Sequence, residues 1–140
     1  MIFLDTNCFV RLAVTPASGA ERDQALAVAR FMRAAANGSK EFTTSDAVLA
    51  EVVFVLTSKR GYGRERADVA QRLRVLLSLK GCRSPLRRSW LRALDIWETR
   101  NALSFVDALA AAHVEQSGDE LGTFDQALRK HPGIKTYRFP

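Results

Sequence analysis

The chain has 140 residues, 47% of them apolar and 26% charged, which excludes a disordered polymer and is long enough for a substantial core in one domain spanning 1–140. Its net charge of +6, from 21 Lys and Arg against 15 Asp and Glu, favours a polyanionic partner. No apolar run approaches the roughly 18 residues of a membrane span, and no signal peptide is visible, so a cytoplasmic protein without membrane contact is expected.

Taken in chain order, the elements begin with MIFL, an unbroken apolar run that predicts a short, fully buried strand of the parallel-sheet kind. NCFVRLAV predicts a short helix and TPASG a turn. From Ala20 to Ala36 the pattern is helical, with Leu26, Ala29, Met32 and Ala36 on one face, and NGSK ends it. EFTT is a strand candidate, though poorly apolar. Ser45 or Asp46 then caps a helix running to about Arg60, with Gly61 as its stop. Further helices are expected from Arg64 to about Leu79, from the Ser84–Pro85 start to about Thr99, and from Ser104 to Gly118. ELGTF reads as a buried strand, DQALRK as one or two helical turns and IKTYRF as a final strand. Cys8 and Cys82 are too few for a disulfide framework and lack metal-ligand spacing, so two free thiols are expected.

Strands interleaved with helices imply crossovers and a mostly parallel sheet. Ligands bind such sheets at the carboxyl ends of the strands. Asp5 directly follows the first strand and Asp125 directly follows ELGTF, so both fall on that edge.

Two more acids stand in apolar surroundings. Glu51 is the only charged residue between Ala47 and Leu56, and Asp107 the only one between Ala102 and Ala112. Each aspartate has a local alternative. Asp107 follows Ser104 by three residues and suits a capping box, while Asp125 and Asp5 can each cap the helix that follows. Glu51 lies mid-helix with Ala47 and Val55 four residues away on either side, and neither can pair with it. One shared reading covers all four: gathered carboxylates repel one another, and a hard dication such as Mg²⁺ or Mn²⁺ reverses that penalty.

Carboxylate-held cations suit phosphoryl chemistry, because they neutralise phosphate oxygens and acidify water. The only histidines, His113 and His131, are read as non-catalytic. There is no phosphate-cradling Gly-rich loop and no Gly-x-Ser-x-Gly nucleophile elbow. An aspartyl-phosphate mechanism at Asp5 is the chemical competitor. Haloacid-dehalogenase-like phosphatases carry a second Asp two residues on, where this chain has Asn7.

FLDTN, VLAEVV, LSFVDALAAA and LGTFD occur in an order and spacing that resemble the PIN-domain family, and within it the VapC-type toxins of bacterial toxin–antitoxin pairs. The resemblance implies an α/β three-layer sandwich with a central, mostly parallel sheet of four to five strands flanked by helices. It also implies metal-dependent endoribonuclease activity. By motif position Asp5, Glu51, Asp107 and Asp125 form the acidic quartet, with Asp5 and Asp107 foremost as direct ligands. Asn7 and Thr123 match the polar residues that orient carboxylates or water. The implied partners are RNA (transfer or ribosomal), a separate antitoxin that inserts an arginine into the acidic cleft, and a second copy in a homodimer. Basic stretches SKRGYGRER and RSPLRRSWLR, with Tyr62 and Trp90 interleaved, can meet phosphates and bases, or can be a solvated helix face with Trp90 in the core. A non-catalytic RNA- or protein-binding module and a small-molecule phosphatase stand as alternatives.

Overall fold

The computed structural model describes residues 1–140. The chain divides into two compact units, 1–87 and 88–140.

The first unit runs β1 (Ile2–Phe3), α1 (Thr6–Ala13), α2 (Gly19–Ala36), β2 (Phe42–Thr43), α3 (Asp46–Thr57) and α4 (Arg66–Leu77). Its best-bonded strand is the one whose sequence is least apolar. β2 runs parallel to β1, with Ile2 opposite Phe42 and Phe3 opposite Thr43. On its other side Phe42 bonds to the backbone of Gly81 and Arg83 at 2.8 Å each. Phe42 is completely buried and meets Phe31 edge-on at 6.3 Å. The approach depends on Gly81, where a Cβ would lie 2.1 Å from the Lys40 carbonyl oxygen. At the end of β1 the buried Thr44 hydroxyl donates to the Leu4 carbonyl at 2.9 Å, fixing the backbone just before Asp5.

Ser45 caps α3, accepting from the Val48 N–H at 3.3 Å. The helix stops at Thr57, earlier than expected, because Ser58 turns extended and residues 58–64 fold back on its last turn. α3 buries Leu49, Val52, Val53 and Leu56, and packs against α1 and α4. In α2 the buried residues are Met32 and Ala35, and Leu26 is exposed. The expected stripe is met in part: Ala29, Met32 and Ala36 line one open apolar groove of about 520 Å³ with Leu12, Leu76 and Leu79, while Leu26 is left out of it.

The second unit carries α5 (Arg87–Thr99, whose first residue lies at the boundary), α6 (Phe105–Ser117), β3 (Glu120–Gly122), α7 (Gln126–Arg129) and β4 (Lys135–Tyr137). β3 and β4 are parallel, from Glu120 opposite Lys135 to Gly122 opposite Tyr137, with α7 as the crossover. α6 ends at Gly118, whose φ of 75° is the left-handed conformation of a helix C-cap. Trp90 is completely buried, so the core reading of this residue holds and it offers no stacking face. Trp97 packs edge-on against Phe105 at 5.7 Å. Arg92 on α5 donates to both oxygens of Glu115 on α6, at 2.7 and 2.9 Å, and His131 after α7 meets the same carboxylate at 2.7 Å.

The mixed helix and strand architecture with parallel pairing is as expected, but the expected sheet of four to five strands is met only in part. The strands are two or three residues long and pair as β1–β2 and β3–β4. MIFL is not a fully buried strand: Ile2 and Phe3 are half-exposed, and only Leu4 is buried. ELGTF is likewise uncovered, with Phe124 strongly exposed. β1 and β3 each bond to one neighbouring strand, and Phe124 lies beyond the end of β3. No helix is long and apolar enough to cross a membrane, and Cys8 and Cys82 are free thiols.

Candidate active site

The first unit gathers two of the four singled-out acids. Asp5 stands between β1 and α1 as the helix N-cap, where its Oδ1 accepts from the Cys8 N–H at 3.3 Å. Glu51 lies at the middle of α3, and its Oε2 accepts a short hydrogen bond, 2.5 Å, from the Thr6 hydroxyl. Because α1 and α3 pack together, both carboxylates line one pocket of about 390 Å³ with Thr6, Asn7, Arg11 and Tyr62. Asp5, Asn7 and Glu51 are all exposed to solvent there. Burial pushes the Cys8 thiol up, and the adjacent Asp5 adds to the effect. Both effects favour the protonated thiol over the thiolate.

Asp107 and Asp125 belong to the second unit. Asp107 closes a capping box on α6: the Ser104 N–H donates to its Oδ2 at 2.9 Å, and its own N–H donates to the Ser104 hydroxyl at 3.1 Å. Asp125 caps α7 by accepting from the Leu128 N–H at 2.9 Å. Thr123 steadies that turn, its hydroxyl accepting from the Asp125 N–H at 3.0 Å. Every aspartate of the four thus has the local capping role open to it. Each of these aspartates accepts its capping hydrogen bond through one carboxylate oxygen.

The structure brings together Asp5, Asn7 and Glu51. No group of three or more Asp, Glu, His or Cys side chains is gathered to hold a metal ion. The donors of this pocket fit a hard dication in type, since the Asp5 and Glu51 carboxylates offer the oxygen ligands Mg²⁺ and Mn²⁺ prefer. His113 faces Asp119 at 3.8 Å and His131 is tied to Glu115, so both histidines are engaged outside this pocket.

Two pocket residues escaped sequence reasoning. Thr6 sits between Asp5 and Asn7 in FLDTN, and its place on the first turn of a helix was the available signal. Arg11 lies four residues after Asn7, on the same stripe of α1, and is the only cation in that helix.

The family profile of the PIN domain matches residues 2–134. The chain belongs to the PIN-domain family. PIN domains are generally nucleases, commonly metal-dependent ribonucleases. The match runs from β1 to the turn before β4 and so spans both units of this PIN chain. No curated protein matches it significantly.

Proposed function

We propose that this PIN-domain protein is a Mg²⁺- or Mn²⁺-dependent endoribonuclease, the cytoplasmic toxin of a bacterial toxin–antitoxin pair. The observation that carries the reading is the shared pocket of Asp5 and Glu51, two acids from distant parts of a PIN sequence. In this reading the chain is one domain over 1–140. Asp5, Glu51, Asp107 and Asp125 would hold the cation, with Asn7 and Thr123 orienting carboxylates or water. The cation supplies positive charge for the phosphate oxygens and an acidified water. The chain's own part is placement. The α1 cap orients the Asp5 carboxylate, the Thr6 hydroxyl donates to Glu51, and the basic net charge draws RNA in. A homodimer and a separate antitoxin whose arginine enters the acidic pocket complete the proposal; a guanidinium satisfies carboxylates as a fork and competes with the cation.

The test is incubation of purified protein with defined transfer and ribosomal RNAs, with cleavage sites mapped. Cleavage is expected with Mg²⁺, is lost with a chelator, and returns with added Mn²⁺ or Mg²⁺. The lack of a gathered trio of acids favours one second reading, a non-catalytic RNA-binding module. Salt-sensitive RNA binding without cleavage under either metal would decide for it.

A further inference from the structure

The carboxylate pocket also contains a cation that does not neutralise its acids. Arg11 lines it, yet its guanidinium is held from the other side: Nε donates to Gln24 at 2.8 Å and Nη2 lies 3.5 Å from Glu21. Glu21 and Gln24 sit one turn apart at the start of α2, and Glu21 is itself pinned by the Ala17 N–H at 2.7 Å. Two residues of α2 thus aim Arg11, and Nη1 keeps both of its N–H groups for another acceptor. Asp5 and Glu51 meanwhile take their hydrogen bonds from the Cys8 N–H and the Thr6 hydroxyl. An arginine beside carboxylates but paired elsewhere suits a pocket that receives an anion.

Tyr62 is placed with equal care. Its N–H donates to the Val55 carbonyl at 3.2 Å, while the N–H groups of Gly61 and Gly63 donate to Ser58 and that of Arg64 to Leu56. The loop reaches α3 this closely because residue 61 has no side chain; a Cβ there would stand 2.1 Å from the Val55 oxygen. Gly63, at φ +57, supplies the left-handed turn that returns the chain to α4. The outcome is a half-exposed phenol ring on the wall of the pocket that holds Arg11.

We propose that Arg11 and Tyr62 form a nucleotide subsite beside the cleaved bond, Arg11 binding a phosphate of single-stranded RNA and Tyr62 stacking the attached base. The subsite rests on the ribonuclease reading for its place next to a cleaved bond, but its binding chemistry can be measured without cleavage. Guanidinium matches phosphate as a fork, and an aromatic ring accepts any unstacked base.

The experiment measures affinity for a short single-stranded RNA in chelator, across a salt series, followed by cleavage kinetics with Mg²⁺. Arg11→Ala is expected to weaken binding about tenfold and to reduce the slope of log affinity against log salt by about 0.7, the value of one phosphate contact to a single strand. Arg11→Lys should keep the slope while recovering only part of the affinity. Tyr62→Ala should weaken binding about tenfold with the slope unchanged, and Tyr62→Phe should bind as wild type. In cleavage the losses should fall on KM more than on kcat. Should Arg11→Ala fail to fold, Arg11→Gln and the loop variants at Tyr62 keep the question answerable. Wild-type affinity, slope and KM in the Arg11 and Tyr62 variants would overturn the subsite while leaving the nuclease intact. Binding that obeys these expectations without any cleavage would remove the nuclease reading and keep the subsite. A protein that neither binds nor cuts RNA overturns both.

Discussion

Asp5 does two jobs that one substitution can separate. As N-cap it holds the start of α1, and as a carboxylate it lines the acidic pocket. Asparagine caps a helix about as well as aspartate. Asp5→Asn is therefore expected to leave the circular dichroism spectrum and melting temperature nearly unchanged. Cleavage should fall by on the order of a hundredfold or more, the scale seen when a preorganised electrostatic group is removed. A variant that cuts RNA at the wild-type rate would end the catalytic assignment of Asp5. Glu51→Gln makes the complementary test, because the amide oxygen still accepts from the Thr6 hydroxyl while the charge is gone. At this scale the local readings of Asp5, Asp107 and Asp125 as caps are all correct. Glu51 had no local partner in the sequence, and the partner it has is 45 residues away.

Among the elements, β2 shows how little local hydrophobicity decides. A two-residue strand becomes the inner one of its unit because β1 and the Gly81–Arg83 backbone bond to its two sides. Phe42→Ala should cost about 3 to 5 kcal/mol in denaturant unfolding, since the side chain is completely buried and its space cannot readily close. A second element-level device is the tie of α5, α6 and the turn after α7 through Glu115. The hydrogen bond from Arg92, with a smaller contribution from His131, holds the Glu115 carboxyl below its usual value of 4.5 against the opposing effect of burial. A carboxyl depressed on folding stabilises the native state fully above its unfolded pKa, and that contribution is lost as pH falls through the folded pKa. Glu115→Gln should therefore be less stable than wild type near neutrality, by roughly 1 to 3 kcal/mol. The gap should narrow as the pH falls below about 4; urea midpoints of both proteins across that range would show it. A gap that stays constant with pH would deny the ion pair its part in stability.

For the whole molecule, the +6 charge and the family membership point to the same partner, a polyanion acted on by a nuclease fold. The helices were legible in the sequence because their signals are local: Ser45 and Ser104 stand at starts, Gly118 at a stop, and each acts within a turn of its own position. Strand positions were legible as well, although only MIFL is an unbroken apolar run and EFTT is poorly apolar. Whether those runs would be covered was not, because burial depends on which chain lies alongside, and Ile2, Phe3 and Phe124 are exposed. The α2 face was legible in part: Ala29, Met32 and Ala36 share a groove as expected, but an alanine-rich helix offers overlapping apolar faces, and packing buried Ala35 and left Leu26 exposed. Residue chemistry alone marked Asp5, Glu51, Asp107 and Asp125 as anomalous. Folding alone could set Glu51 and Tyr62 beside Asp5 and Arg11, because the packing of α3 on α1 and a loop without a Cβ at Gly61 had to bring together side chains from segments that no local pattern connects.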